Sequence, residues 1–381
     1  MQNINSKLPE VSTTIFTVMS KMANEYNAMN LSQGFPNFEA SPELINLVTY
    51  AMHKGYNQYA PMPGLLSLRD IIAEKTNSIH ASDYHPETEV TITSGATQAI
   101  FTIIATCIHP GDEVIIFKPA YDCYEPSVEL FGGTIVPIQL KTADFTVNWK
   151  EVQEKITPKT KMVIINTPHN PSGSVFSKED MLQLETLLKD TDIILLSDEV
   201  YEHIIFDNVE HQSAARFPGL VERAFITASF GKTFHTTGWK MGYCLAPKEL
   251  MAEFRKVHQF NVFCSNHPMQ YALAEYLKTP ENYLSLSNFY QEKRDLFLSC
   301  IKDSRFTFTP AAGTYFQLLN YAEITNEGDV AFAERLTKEH NIASIPVSVF
   351  NLNRQDNKVL RFCFAKTDDT LRRAGDILCR V

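Results

Sequence analysis

Lys161-Met162-Val163-Ile164-Ile165-Asn166 runs directly into Thr167-Pro168-His169-Asn170-Pro171-Ser172-Gly173. A near-continuous Val/Ile run reads as a strand buried on both faces, and the Asn, Pro, Ser and Gly that follow are turn formers. The pattern recurs in both directions along the chain. Runs at residues 89–93, 113–117, 134–138, 193–197, 224–228 and 241–246 alternate with helical patterns, among them 97–108 and 178–189. Strands alternating with helices predict an α/β protein with a mostly parallel central sheet.

At 381 residues and 44% hydrophobic, the chain is too long for one comfortable core. The character changes near residue 276. A polar helical stretch at 281–304 leads to short runs at 306–308 and 314–319, a helix at 329–340 and a strand at 359–364. This predicts a large domain at 45–275 and a smaller α/β domain built from 1–44 and 276–381.

The net charge is −10, with 34 basic and 44 acidic residues and no Lys/Arg-rich run. Nucleic acid and anionic membrane surfaces are therefore not expected partners. Residues 1–10 show no export or organelle signal, and no apolar run has membrane-spanning length. The seven cysteines are dispersed, with no CxxC pair, which suits reduced thiols in a cytoplasmic protein. His109, His169 and His203 have no partners at metal-ligand spacing, so no metal site is expected; they read as capping, site surroundings and packing. GxGxxG, GxxxxGK[ST], HExxH and GxSxG are all absent.

In open α/β sheets, ligands bind outside the carboxyl ends of the strands. The residues found there are Ser94-Gly95-Ala96-Thr97, Pro119-Ala120-Tyr121, Asn170 with its turn, Asp198-Glu199-Val200-Tyr201, and Ser229-Phe230-Gly231-Lys232. Singly, each has a plain structural reading: Asp198 a helix cap, Lys232 a solvated charge, Tyr121 and Tyr201 core, Arg361 an ion pair. Together they match a cofactor made of a phosphate, a pyridine ring and an aldehyde. Gly95, Ala96 and Thr97 offer backbone N–H groups at a helix N-terminus to the phosphate, and Ser229 and Lys240 add a hydroxyl and a cation. Asp198 would keep a pyridine nitrogen protonated. Asn170 and Tyr201 would donate to the ring oxygen, and Tyr121 would stack on the ring. Lys232 supplies the amine for the aldehyde.

Asn170-Pro171-x-Gly173, Ser197-Asp198-Glu199-Val200-Tyr201 and Ser229-Phe230-Gly231-Lys232-Thr233 with Gly238-Trp239-Lys240-x-Gly242 resemble class I aminotransferases of pyridoxal 5′-phosphate (PLP) fold type I. The resemblance runs from Leu31-Ser32-Gln33-Gly34-Phe35-Pro36 to Leu360-Arg361-Phe362-Cys363-Phe364. With Tyr121-Asp122-Cys123-Tyr124 it is closest to the kynurenine (glutamine) and bacterial methionine aminotransferase branch. Lys240 stands where many members of the wider class carry Arg, which removes bidentate phosphate binding.

The resemblance implies a ping-pong exchange between amino acids and 2-oxo acids. Lys232 would hold PLP as a Schiff base and then move the substrate proton, with Asp198 and Tyr201 as its catalytic partners. Asn166 would join the cofactor-binding set. Arg361 would clamp the α-carboxylate, helped by Asn170 and the Gly34 backbone. It also implies a homodimer with shared sites, Tyr59 reaching the partner's phosphate and Phe263 acting across the interface. Phe16 and Phe263 would line a side-chain pocket favouring methionine and aromatic donors, with glutamine or kynurenine also accepted, over aspartate. A PLP-dependent cysteine-S-conjugate or cystathionine β-lyase shares the scaffold and the α-proton step, and the motifs barely separate the two. A PLP-binding transcriptional regulator would need a basic DNA-binding module, for which the chain has no room.

Overall fold

The computed structural model describes residues 5–142 and 144–381. Among the described residues twelve strands are formed: β1 Met29–Asn30, β2 Val90–Thr93, β3 Glu113–Lys118, β4 Thr134–Gln139, β5 Thr160–Asn166, β6 Ile194–Asp198, β7 Ala224–Ser229, β8 Gly242–Leu245, β9 Phe316–Asn320, β10 Ile342–Ala343, β11 Ile345–Pro346 and β12 Val359–Cys363. Seven of them make the central sheet, in the order β2-β8-β7-β6-β5-β3-β4. This is the expected α/β architecture with a mostly parallel central sheet.

The buried runs explain themselves through strand alternation. Val163, Ile165, Leu195 and Ile226 enter one core cluster, while Ile164, Leu196 and Phe225 enter another on the opposite face, under helix Ala96–Cys107. Both faces are covered, so nearly every residue must be apolar. Each such side chain contributes about 1.5–3 kcal/mol on full burial.

The strands β3, β4, β5, β6 and β7 run parallel. The run near 241–246 differs from the parallel expectation: β8 is antiparallel to both β7 and β2. Between β7 and β8 the chain forms only the short turns Phe230–Thr233 and Thr237–Trp239, with no crossover helix to return it to the same edge.

Beyond the central sheet, β12 lies between β11 and β9 in an antiparallel three-stranded sheet, and β1 pairs in parallel with β10. The stretch at 281–304 divides into helices Glu281–Leu284 and Leu286–Ile301, and 306–308 contributes only the bridge Thr307–Asn320. Helices Pro42–His53, Leu66–His80, Lys248–Asn261 and His267–Tyr276 add to those predicted. Helix Lys178–Leu188 starts on a capping box between Ser177 and Asp180. Among the described residues, no helix is long and apolar enough to cross a membrane, and no cluster of metal-binding side chains occurs.

Candidate active site

Register brings the chemistry together. Asn166 lies opposite Asp198, and Asp198 opposite Thr227, so β5 and β6 end level and β7 runs two residues further, to Ser229. Beyond these ends one cavity is lined by Gly95, Ala96, Thr97, Tyr121, Asn166, Asn170, Asp198, Tyr201, Ser229, Lys232 and Lys240. Of the residues predicted to hold a cofactor, only Tyr59 is missing from this wall. Ile100, Val200, Gly231, Thr237 and Met241 complete it.

At one end, helix Ala96–Cys107 presents its N-terminus. Gly95 caps it with φ +81°, a conformation that glycine adopts without strain. The Ser94 N–H is taken up by Gln98 Oε1 at 2.9 Å. Lys240 brings its ammonium nitrogen within 3.5 Å of where a Gly95 Cβ would sit. Backbone N–H groups and an ammonium converging there suit a phosphate.

At the floor, Asp198 is 4% exposed. Its Oδ2 accepts from the Tyr124 hydroxyl at 2.5 Å, and its Oδ1 accepts a longer bond from the Val200 N–H at 3.4 Å. Burial raises the carboxyl to about 6, against the pull of Tyr124 and Lys232. Asn166 is fully engaged with the main chain: it donates to Asp198 O at 2.8 Å and accepts from the Asn170 N–H at 2.8 Å. Its amide thereby ties the end of β6 to the turn that carries Asn170. His169, under the same turn, accepts from Ser172 Oγ and donates to Pro119 O, and burial lowers it to about 4.

Lys232 Nζ donates to Gly34 O at 3.1 Å and lies 5.7 Å and 5.5 Å from the ring centres of Tyr201 and Tyr315. Burial above all, with Arg361 and Lys240 adding repulsion, lowers its ammonium to about 8. A sizeable neutral fraction near neutrality is what a nucleophilic amine requires.

Arg361 is 1% exposed in the middle of β12. Nη1 donates to Asn170 Oδ1 at 2.7 Å and Nη2 to Ser32 O at 2.9 Å, while buried Nε has no partner among the described residues. Its guanidinium lies 3.8 Å from the centre of the Phe316 ring and 5.2 Å from that of Phe16. A buried cation held by carbonyls and rings has an unmet demand for an anion. Gly34 approaches closely here: a Cβ would sit 2.7 Å from Phe316 Cζ.

Phe16 stacks on Phe350 at 5.6 Å. Tyr59 and Phe263 are not brought to the cavity of their own chain. Tyr59 is 80% exposed and meets Phe263 edge-on at 5.2 Å, near the exposed Phe260. Sequence reasoning missed Tyr124, Tyr315 and Phe316. Tyr124 lies within the quoted Tyr121-Asp122-Cys123-Tyr124 stretch; the other two carry no motif spacing.

A model of the family "Aminotransferase class I and II" matches residues 26–378. The chain belongs to this family. The aminotransferase is 44% identical to methionine aminotransferase of Escherichia coli (strain K12), over 98% of this chain and 97% of the relative. It also superposes on a solved E. coli protein identified as having methionine aminotransferase function, with TM-score 0.98, 43% identity and full coverage of both chains. N-succinyldiaminopimelate aminotransferase from Mycobacterium tuberculosis gives TM-score 0.94 at 34% identity, covering 98% of this chain and 100% of that one. Kynurenine–oxoglutarate transaminase of Dictyostelium discoideum is 31% identical over 97% of this chain and 94% of its own length.

Class I aminotransferases depend on PLP and exchange amino groups between amino acids and 2-oxo acids. The buried carboxylate, the lysine of lowered basicity and the cation at a helix N-terminus fit that group.

Proposed function

We propose that this aminotransferase takes its amino group from methionine and aromatic amino acids, with glutamine and kynurenine as further donors. The observation that carries the reading is the setting of Arg361. Its guanidinium meets two aromatic rings, Phe316 and Phe16, and Phe350 stacks on Phe16. Arg361 adjoins the cavity through Asn170, and among the described residues no arginine lines the cavity itself. A carboxylate held at Arg361 would leave its side chain against an apolar, aromatic wall. Thioether sulfur and flat rings are favoured there, while an acidic side chain would lose its water without gaining a partner. The 44% identity to a methionine aminotransferase supports the same choice.

Each residue then has a task. PLP, when bound, supplies an electron sink for negative charge developing at the substrate α-carbon. The N–H groups of Ala96 and Thr97, the Ser229 hydroxyl and the Lys240 ammonium would hold the phosphate, beside Gly95. Tyr121 would cover the ring, Asn170 and Tyr201 would donate to its oxygen, and Asn166 braces Asn170 and Asp198. Asp198 would pair with the ring nitrogen as a carboxylate. Lys232 takes the proton from the α-carbon and returns it one position away. Arg361, with Asn170 and Gly34, orients the carboxylate so that the reacting bond is set before proton transfer.

The exposed pair Tyr59 and Phe263 supports an isologous homodimer in which both reach the neighbouring site. A division into domains at 45–275 and at 1–44 with 276–381 accords with the separation of the seven-stranded sheet from the two smaller sheets, and the dispersed cysteines accord with a cytoplasmic protein. Steady-state kcat/KM over a donor panel tests the substrate reading, with methionine, phenylalanine and kynurenine expected to exceed aspartate. Aspartate as the best donor would overturn it. Pyruvate and ammonia released from cystathionine without an acceptor would point instead to β-lyase chemistry.

A further inference from the structure

We infer that Tyr124 is a positioning residue for the reaction: its phenol holds the Asp198 carboxylate ionised and oriented, and so governs protonation of the cofactor's ring nitrogen. This rests on the reading of Asp198 as the partner of that nitrogen.

The geometry is specific. Tyr124 opens helix Tyr124–Leu130, is 3% exposed, and its hydroxyl lies 2.5 Å from Asp198 Oδ2. Among the described residues it is the one side chain that donates to the Asp198 carboxylate; the Asn166 amide donates to the main-chain oxygen instead. The other oxygen, Oδ1, has only the 3.4 Å bond from the Val200 N–H and keeps most of its capacity for a cation. The Tyr124 ring also meets Tyr121 edge-on at 5.8 Å and 79°. One residue thus braces both the carboxylate and a ring on the cavity wall.

The consequence follows from the low dielectric around a buried acid. Burial alone drives a carboxylate toward its neutral form, and a donor to the charged form opposes this. Burial likewise pushes the Tyr124 phenol well up, so it stays a neutral donor beside the carboxylate. Without the phenol, Asp198 becomes the stronger base. A proton shared between the ring nitrogen and Asp198 then shifts toward Asp198, and the cofactor loses its positive charge.

The test uses full-length enzyme reconstituted with PLP labelled with ¹⁵N in the ring, whose chemical shift reports nitrogen protonation. Wild type, Tyr124→Phe, Tyr124→Gln and Asp198→Asn are compared, with thermal midpoints as a control for folding. Tyr124→Phe is expected to move the resonance toward the Asp198→Asn position and to lower kcat about 10-fold or more, with KM for methionine nearly unchanged. Tyr124→Gln keeps an N–H donor and should lie nearer wild type in both readouts. A Tyr124→Phe resonance at the wild-type position, whatever the activity, overturns the proposal. An Asp198→Asn resonance that also stays put would instead sink the reading of Asp198.

Discussion

Replacing Arg361 with lysine keeps the charge and removes the fork. Two of the five guanidinium donors are committed, Nη1 to Asn170 Oδ1 and Nη2 to Ser32 O, and Nε is buried without a partner among the described residues. The planar group is also fixed against Phe316 at 3.8 Å. A carboxylate approaching it can take two parallel charge-assisted bonds, whereas an ammonium offers a point charge on a shorter, mobile stem. Losing one such bond costs about 1.5–3 kcal/mol, so kcat/KM for methionine should fall roughly 10- to 150-fold. The assay pairs methionine with 3-(methylthio)propylamine, the same side chain without the carboxylate. Slow turnover of the amine should be nearly unaffected in Arg361→Lys. An equal loss on both compounds, or a loss under about threefold on methionine, would refute the clamp.

Three further outcomes are expected. Asp198→Asn should lower kcat by several powers of ten, the scale seen when a catalytic group is held in the wrong protonation state, and near-normal turnover would exclude the role given to Asp198. With Lys232 lowered to about 8, the rate at which the apoprotein captures PLP should rise with pH through about 8 and then level off; an ordinary lysine would keep accelerating toward its usual 10.5. His169 is buried neutral and lowered to about 4, so between about pH 6.5 and 4 the unfolded chain binds the extra proton. Its contribution to stability is whole above pH 6.5 and lost as pH falls, by up to about 3 kcal/mol at pH 4. Urea midpoints should therefore drop less between pH 7 and 5 in His169→Gln than in wild type, and equal drops would contradict the assignment.

The parts legible in the sequence share a physical origin. A strand covered on both faces must be Val/Ile-rich, and it must end where polar turn residues begin. Reading those ends was enough to locate Gly95, Tyr121, Asn170, Asp198 and Lys232, because parallel strands deliver their carboxyl ends to one edge. The helices 97–108 and 178–189 were legible too, to within a residue at each end, since the apolar periodicity and the Ser177 capping box are local. The direction of β8 was not, because an apolar run looks the same in either orientation and its pairing depends on what connects it. Nor were the side chains that tune the site. Tyr124 reaches Asp198 across 74 positions and Arg361 reaches Asn170 across 191. Phe316 comes under Arg361 only because β9 and β12 pair antiparallel in one register. The exposure of Tyr59 and Phe263 likewise appears only in three dimensions. Sequence patterns report how each segment is covered and where it turns. Which distant groups press on a carboxylate or a guanidinium is decided by packing, and packing sets their charge and reach.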